Sequence, residues 1–179
     1  LKGKKKKQLT EKSGTHSVAA SSKFNYFVDS YSSPTEPGLT RLIDAKGKTL
    51  KVLEDNARLK QKLGRLDISP PEFFQFTTSE GAELNGWMIK PADFDPNREY
   101  PVFMYVYGGP GSQTVQKNWG SFNYMWFQML AQKGYSVACG DNRGTNGRGE
   151  GVRKATCRGL GKNEAIDQVE AARQLGDWD

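Results

Sequence analysis

The sequence predicts an α/β unit built on an open, doubly wound sheet, preceded by a short all-β segment. Three observations carry this. From Glu72 onward, apolar runs and helical stretches follow in the order strand, strand, strand, helix, strand, helix, the grammar of a doubly wound sheet. Residues 1–55 instead break into short β-prone runs punctuated by glycine and proline. Residues 56–71 are charged and close on Pro70-Pro71, which reads as a connector between two structural units, 1–55 and 72–179.

Gln8-Leu9-Thr10 reads as the end of a first strand. Ser17–Ala20 and the aromatic-rich run Phe24–Tyr31 are the next two. Pro34 and Pro37-Gly38 mark a turn. Leu39–Ile43 and Thr49–Leu53 pair across a hairpin tip at Asp44–Lys48. The whole is about one four-stranded meander, the size of a propeller blade and too small to bury a core alone. Asn56–Leu63 is weakly helical and ends at Gly64. Phe73–Thr78 and Leu84–Lys90 are a hairpin around Ser79-Glu80-Gly81, the antiparallel edge that such sheets often carry. After the polar loop Pro91–Glu99, Pro101–Val106 is a buried strand. It stops at Tyr107-Gly108-Gly109-Pro110-Gly111-Ser112, where glycines free the backbone and a proline bars further pairing. Phe122–Gln132 is apolar on most faces, which predicts a largely buried helix capped by Gly134. Tyr135–Cys139 is a short buried strand, followed by the glycine-rich loop Gly140–Gly149. Glu164–Leu175 is an amphipathic helix with Ile166, Val169, Ala172 and Leu175 on one face and a stop at Gly176.

Composition narrows the function classes. The net charge is +6, and much of it sits in Lys2, Lys4, Lys5, Lys6 and Lys7. That run has no interleaved aromatics, and the rest of the chain mixes both signs. It reads as a solvated loop or hairpin tip, and no nucleic-acid partner is expected. The two cysteines, Cys139 and Cys157, form no Cys-x-x-Cys pair, and His16 is the one histidine, so no metal site and no cofactor are expected. Cys139 reads as core. No apolar stretch approaches the ~18 residues of a membrane span, and no signal peptide is visible.

Tyr107 ends a strand at the carboxyl edge of the sheet, where open α/β folds place their sites. A Ser-His-Asp set would need a Gly-x-Ser-x-Gly elbow, and none is present. Ser136 lies inside a strand, and His16 precedes the whole α/β part, where it reads as structural or solvent-facing. No triad can be built from these residues. What remains is the oxyanion side of acyl-transfer chemistry. A tyrosine phenol after the third strand can donate one hydrogen bond to a developing oxyanion. The glycines of the 140–149 loop have the wrong order for a dinucleotide fingerprint, and the Gly-Lys-Ser or Gly-Lys-Thr ending of a phosphate loop is absent. Asp141 and Arg143 are expected to pair within that loop, and Glu164 and Asp167 to be solvated.

Tyr107-Gly108-Gly109-Pro110-Gly111-Ser112-Gln113 resembles the oxyanion-tyrosine segment of the prolyl oligopeptidase family, in its dipeptidyl peptidase IV and prolyl tripeptidyl peptidase branch. Asp141-Asn142-Arg143-Gly144 resembles that family's Asp-x-Arg-Gly loop. Gly161, Asp167 and Gln168 are similar to the helix preceding the nucleophile. Val52–Asn56 resembles the junction between propeller and catalytic domain, and Ser30, Pro34 and Leu39 the last-blade pattern. The resemblance implies an α/β-hydrolase domain, present here in its N-terminal part, preceded by the last strands of a β-propeller. It implies a serine exopeptidase that releases dipeptides or tripeptides from peptide N-termini, typically after proline, with Tyr107 as oxyanion donor. The nucleophile, Asp and His would lie beyond Asp179, and the residues gripping the substrate amino group before Leu1. This stretch by itself is then expected to be inactive. The resemblance further implies a peptide substrate, a homodimer of the full-length protein, and a periplasmic, secreted or membrane-anchored location. The alternative is a non-enzymatic relative that binds peptides.

Overall fold

The computed structural model describes residues 7–176, which form two compact units. One comprises 7–66 with the returning segment 117–121, and the other 67–116 with 122–176. Lys2, Lys4, Lys5 and Lys6 lie outside the described residues. Lys7 is exposed and donates from Nζ to the Lys46 carbonyl at 3.2 Å.

The first unit is an antiparallel meander of β1 (Thr15–Ala20), β2 (Tyr26–Ser33), β3 (Glu36–Asp44) and β4 (Thr49–Glu54), in that spatial order. Gln8-Leu9-Thr10 is irregular, so the expected extra strand is absent. Phe24 is a turn residue with φ 56° rather than a strand opener. Pro37 and Gly38 lie within β3, so the turn is confined to Pro34-Thr35. The ladder absorbs the proline through an irregularity between Tyr31 and Ser33. The hairpin tip at 44–48 forms as expected, because Asp44 Oδ1 accepts the N–H groups of Lys46 (2.8 Å) and Lys48 (2.9 Å). His16 is structural. Its Nδ1 lies 2.8 Å from Asp29 Oδ1 and its Nε2 3.0 Å from the Lys12 carbonyl. Arg41 holds the other oxygen of this fully buried carboxylate at 2.9 Å. The short helix α1 (Ala57–Leu63) buries no side chain and ends at Gly64.

The second unit is a four-stranded mixed sheet of β5 (Glu72–Thr77), β6 (Glu83–Ile89), β7 (Val102–Met104) and β8 (Ser136–Gly140). β8 inserts between β6 and β7, giving the order β5-β6-β8-β7. β5–β6 and β6–β8 are antiparallel, and β7–β8 is parallel. The parallel pair needs a crossover, which α2 (Ser121–Gln132) supplies. α3 (Glu150–Lys154) and α4 (Lys162–Gly176) follow.

Alternation along the strands covers both faces of this sheet. Phe103, Tyr105 and Trp87 point to α2, where the Phe127 ring sits 5.4 Å from Trp87 and 5.3 Å from Tyr105, and Trp126 packs edge-on against Phe103. Leu84, Met88, Met104 and Ala138 point the other way, to Ala171 and Leu175 of α4. On that same face the Phe74 ring lies directly over its register partner Gly86, and Phe76 over Gly140. A glycine is required at 86 because a Cβ there would enter the Phe74 ring, whereas at 140 it would only touch Phe76 at 3.4 Å.

Two helices differ from expectation. α2 buries one stripe, Tyr124, Phe127, Gln128 and Ala131, while Met125, Trp126 and Met129 are exposed. Gln128 belongs to the stripe because its amide exchanges two hydrogen bonds with Ser69, at 2.9 and 2.6 Å. α4 buries Glu164, Asp167, Gln168, Ala171 and Leu175, whereas Val169 and Ala172 are exposed. Its buried face is largely polar, so apolar periodicity finds Leu175 and the half-buried Ile166 but misplaces Val169 and Ala172.

Candidate active site

β7 and β8 run parallel, so their carboxyl ends emerge at the same edge of the sheet. β7 is shorter than the 101–106 run suggests. Its ladder ends at Met104, with one further bond from Tyr105 N to the Ala138 carbonyl at 2.8 Å. Tyr107 therefore lies in the loop beyond the strand. Its side chain is half exposed and makes no side-chain hydrogen bond among the described residues.

The chain from 107 to 115 is held against the β8 exit loop by two sets of bonds. Gly111 N donates to the Gly144 carbonyl at 3.2 Å, and Asn146 N to the Ser112 carbonyl at 2.9 Å. Deeper, Asp141 Oδ1 accepts from Thr114 N (2.9 Å), Thr114 Oγ1 (2.8 Å) and Val115 N (3.1 Å). Asp141 thus holds the Tyr107 segment, and the expected Asp141–Arg143 pair does not form. Gly108 packs so closely on Asn142 and Glu164 that a Cβ there would stand 3.3 Å from each.

Arg143 pairs with Asp167 instead. Its N–H donates to Asp167 Oδ2 at 2.7 Å, its Nε lies 3.0 Å from both carboxylate oxygens, and its Nη2 is 2.7 Å from Oδ1. Glu80 takes Nη1 at 2.5 Å. The Asp167 carboxylate raises the guanidinium's affinity for its proton above its already high range, with Glu80 adding to it. Asp167 is 1% exposed, so the expectation of a solvated carboxylate is overturned. Glu164 is buried as well, and its carboxylate accepts from Gly161 N at 2.9 Å just ahead of α4. Gln168 completes the support, donating to the Gly140 carbonyl at 2.9 Å and to Asn142 Oδ1 at 3.2 Å. Glu170 reaches the β5–β6 turn, accepting from Ser79 N at 2.7 Å and Ser79 Oγ at 2.6 Å.

Cys139 lies under this platform, 3.2 Å from Thr114 Oγ1, and burial pushes its thiol pKa up to about 12. It is core, as expected. No group of three or more His, Cys, Asp or Glu residues suited to a metal is found among the described residues. The loop that carries Tyr107 is thus fixed from below by Asp141, while its half-exposed phenol has no hydrogen-bond partner among the described residues. Sequence reasoning missed the Asp141–Thr114 and Arg143–Asp167 connections, because their partners lie 27 and 24 residues apart.

Residues 121–178 match the model of the prolyl oligopeptidase family. The chain is 33% identical over 173 residues to human dipeptidyl peptidase 8, covering 94% of this chain and 19% of that protein. It is 34% identical over 163 residues to dipeptidyl peptidase 4 of Trichophyton equinum, covering 89% of this chain and 21% of that protein. The crystal structure of Porphyromonas gingivalis dipeptidyl peptidase 4 superposes with a TM-score of 0.91 at 42% identity, over 96% of this chain and 24% of that one. The chain spans about a fifth of the length of the curated relatives it matches. On these matches it belongs to the prolyl oligopeptidase family of serine peptidases.

Proposed function

We propose that this chain is part of a serine exopeptidase that releases dipeptides or tripeptides from peptide N-termini, typically after proline, with Tyr107 as an oxyanion donor. The observation that carries this is the Tyr107 phenol, unbonded and half exposed in the first loop at the carboxyl edge of β7–β8, on a backbone anchored by Asp141. Attack of a serine on the scissile carbonyl puts negative charge on the carbonyl oxygen. A phenol O–H already in position donates to that oxygen without reorganising, and such a donor contributes about 3–4 kcal/mol. Dipeptidyl peptidases among the relatives support the substrate class.

In this reading residues 72–179 are the N-terminal part of an α/β-hydrolase domain, and 1–55 are the last blade of a propeller, joined by 56–71. The order β5-β6-β8-β7 and the four-stranded meander support it. The full-length protein would act on peptides outside the cytoplasm, as a periplasmic, secreted or membrane-anchored enzyme, and as a homodimer.

The test is Tyr107→Phe in the full-length protein, assayed on a proline-containing chromogenic dipeptide. The ring stays and the donor goes, so kcat should fall roughly 10²–10³-fold with the fold intact. Full activity in that variant would remove Tyr107 from the mechanism. Inactivity of the wild type toward such substrates would favour a non-enzymatic, peptide-binding relative.

A further inference from the structure

Beside the Tyr107 loop lies an open groove of about 450 Å³. Pro110 and Gly111 form one wall, and the turn between α3 and α4 forms the other, with Thr156, Cys157 and Leu160. Its charged lining is entirely basic: Arg153, Lys154 and Arg158. We propose that this groove receives the portion of the peptide on the carboxyl side of the cut and favours an acidic side chain there, with Arg158 as the specificity-determining cation. The proposal rests on the peptidase reading above.

Arg158 is singled out from its two neighbours. Arg153 and Lys154 already share a carboxylate, Glu150, at 3.6 and 2.8 Å. Arg158 is exposed and makes no ion pair among the described residues. Its backbone is left-handed, with φ 65°, a conformation that crowds any residue bearing a Cβ. A strained arginine with no carboxylate to hold it marks a candidate binding residue.

The groove is also tied to the catalytic edge. Thr156 is buried against Gly144, where a Cβ would stand 2.8 Å from Thr156 Cγ2, and Gly144 N donates to the Val152 carbonyl at 2.9 Å. Gly144 in turn accepts from Gly111, on the Tyr107 loop. Tyr107 and the basic wall are thus referenced to one residue. A peptide whose scissile carbonyl meets Tyr107 has its leaving portion still to place, and Pro110-Gly111 lies three to four residues from that tyrosine. Among the described residues a carboxylate entering there meets three cations, two of which already share Glu150, a complementarity that steers and orients a partially solvated ligand.

The experiment uses the full-length protein and two peptides with an N-terminal X-Pro pair, differing only by Glu or Gln among the first three residues after the cut. At low salt, kcat/KM should favour the Glu peptide about 3-fold, the scale of one half-exposed ion pair, and the preference should shrink as salt rises. Arg158→Ala should bring the ratio to one, and Arg158→Lys should restore most of it. Arg158→Gly keeps the left-handed backbone without steric cost and should match the alanine variant, so a folding defect is distinguishable from a lost charge. Equal kcat/KM for the two peptides, or a ratio that survives in Arg158→Ala, overturns the proposal. Chromophore release from an X-Pro substrate by the wild type tests the peptidase reading separately. If that reading fails, anisotropy with the two labelled peptides still decides the groove. Tighter Glu-peptide binding lost in Arg158→Ala sustains it, and equal binding overturns it.

Discussion

Asp167→Ala should be the most damaging single change in the α/β unit outside its apolar core. Asp167 is 1% exposed, and its two oxygens take the Arg143 main-chain N–H, Nε and Nη2 at 2.7 to 3.0 Å. Without it the guanidinium keeps only Glu80, which is 54% exposed and screened by solvent. Breaking a buried ion pair by removing one partner costs about 3–5 kcal/mol. An orphaned main-chain N–H costs about 1–3 kcal/mol, much of it already within that figure. A loss of about 4 kcal/mol, at a urea dependence of ~2 kcal/mol per molar, lowers the midpoint of this unit by ~2 M. Urea unfolding followed by tryptophan fluorescence measures the shift, and hydrogen exchange of amides 141–149 locates it. Arg143→Met with Asp167→Leu should recover the ionic share of the loss, because it removes both charges together, but not the share of the Arg143 main-chain N–H, which still lacks its acceptor. A midpoint shift below ~0.5 M for Asp167→Ala would show that the pair is solvated in practice and does not hold the β8 exit loop.

Two further outcomes follow from the packing. A thiol reagent at pH 8 should label Cys157 at once and Cys139 only after denaturation, since Cys157 is exposed while burial keeps the Cys139 thiol protonated up to about 12. Two rapidly reacting thiols in the native protein would contradict the buried position of Cys139. Gly86→Ala should drive a methyl into the Phe74 ring and cost about 1–3 kcal/mol, a Tm lowered by roughly 2–12 °C in calorimetry. Phe74→Leu in the same chain should return part of it, and an unchanged Tm for Gly86→Ala alone would mean the ring does not cover that glycine.

Features encoded within a few residues were legible before the fold was known. The tip at Asp44–Lys48 is one, because Asp44 binds amides two and four positions on. The end of α1 at Gly64 and the burial of Ser136–Cys139 are others, although Tyr135, read as part of that buried run, is exposed. Where local chemistry is ambiguous, the same reasoning misplaced elements. Pro37-Gly38 has the composition of a turn, yet it lies inside β3 with the proline buried.

The candidate site divides along the same line. Residue order alone establishes that Tyr107 follows an apolar strand, that glycines come after it, and that no Gly-x-Ser-x-Gly elbow accompanies it. What anchors it is visible in the fold and nowhere else. Asp141 reaches back to Thr114 and Val115, and Arg143 forward to Asp167. Neither partner can be read from spacing, because the strand order β5-β6-β8-β7 brings them together. The polar face of α4 was misread for the same reason. A carboxylate looks solvated until a fold supplies its partner: the loop leaving β8 brings Arg143 to Asp167 and the Gly140 carbonyl to Gln168, while the buried Glu164 accepts from Gly161 N ahead of its own helix.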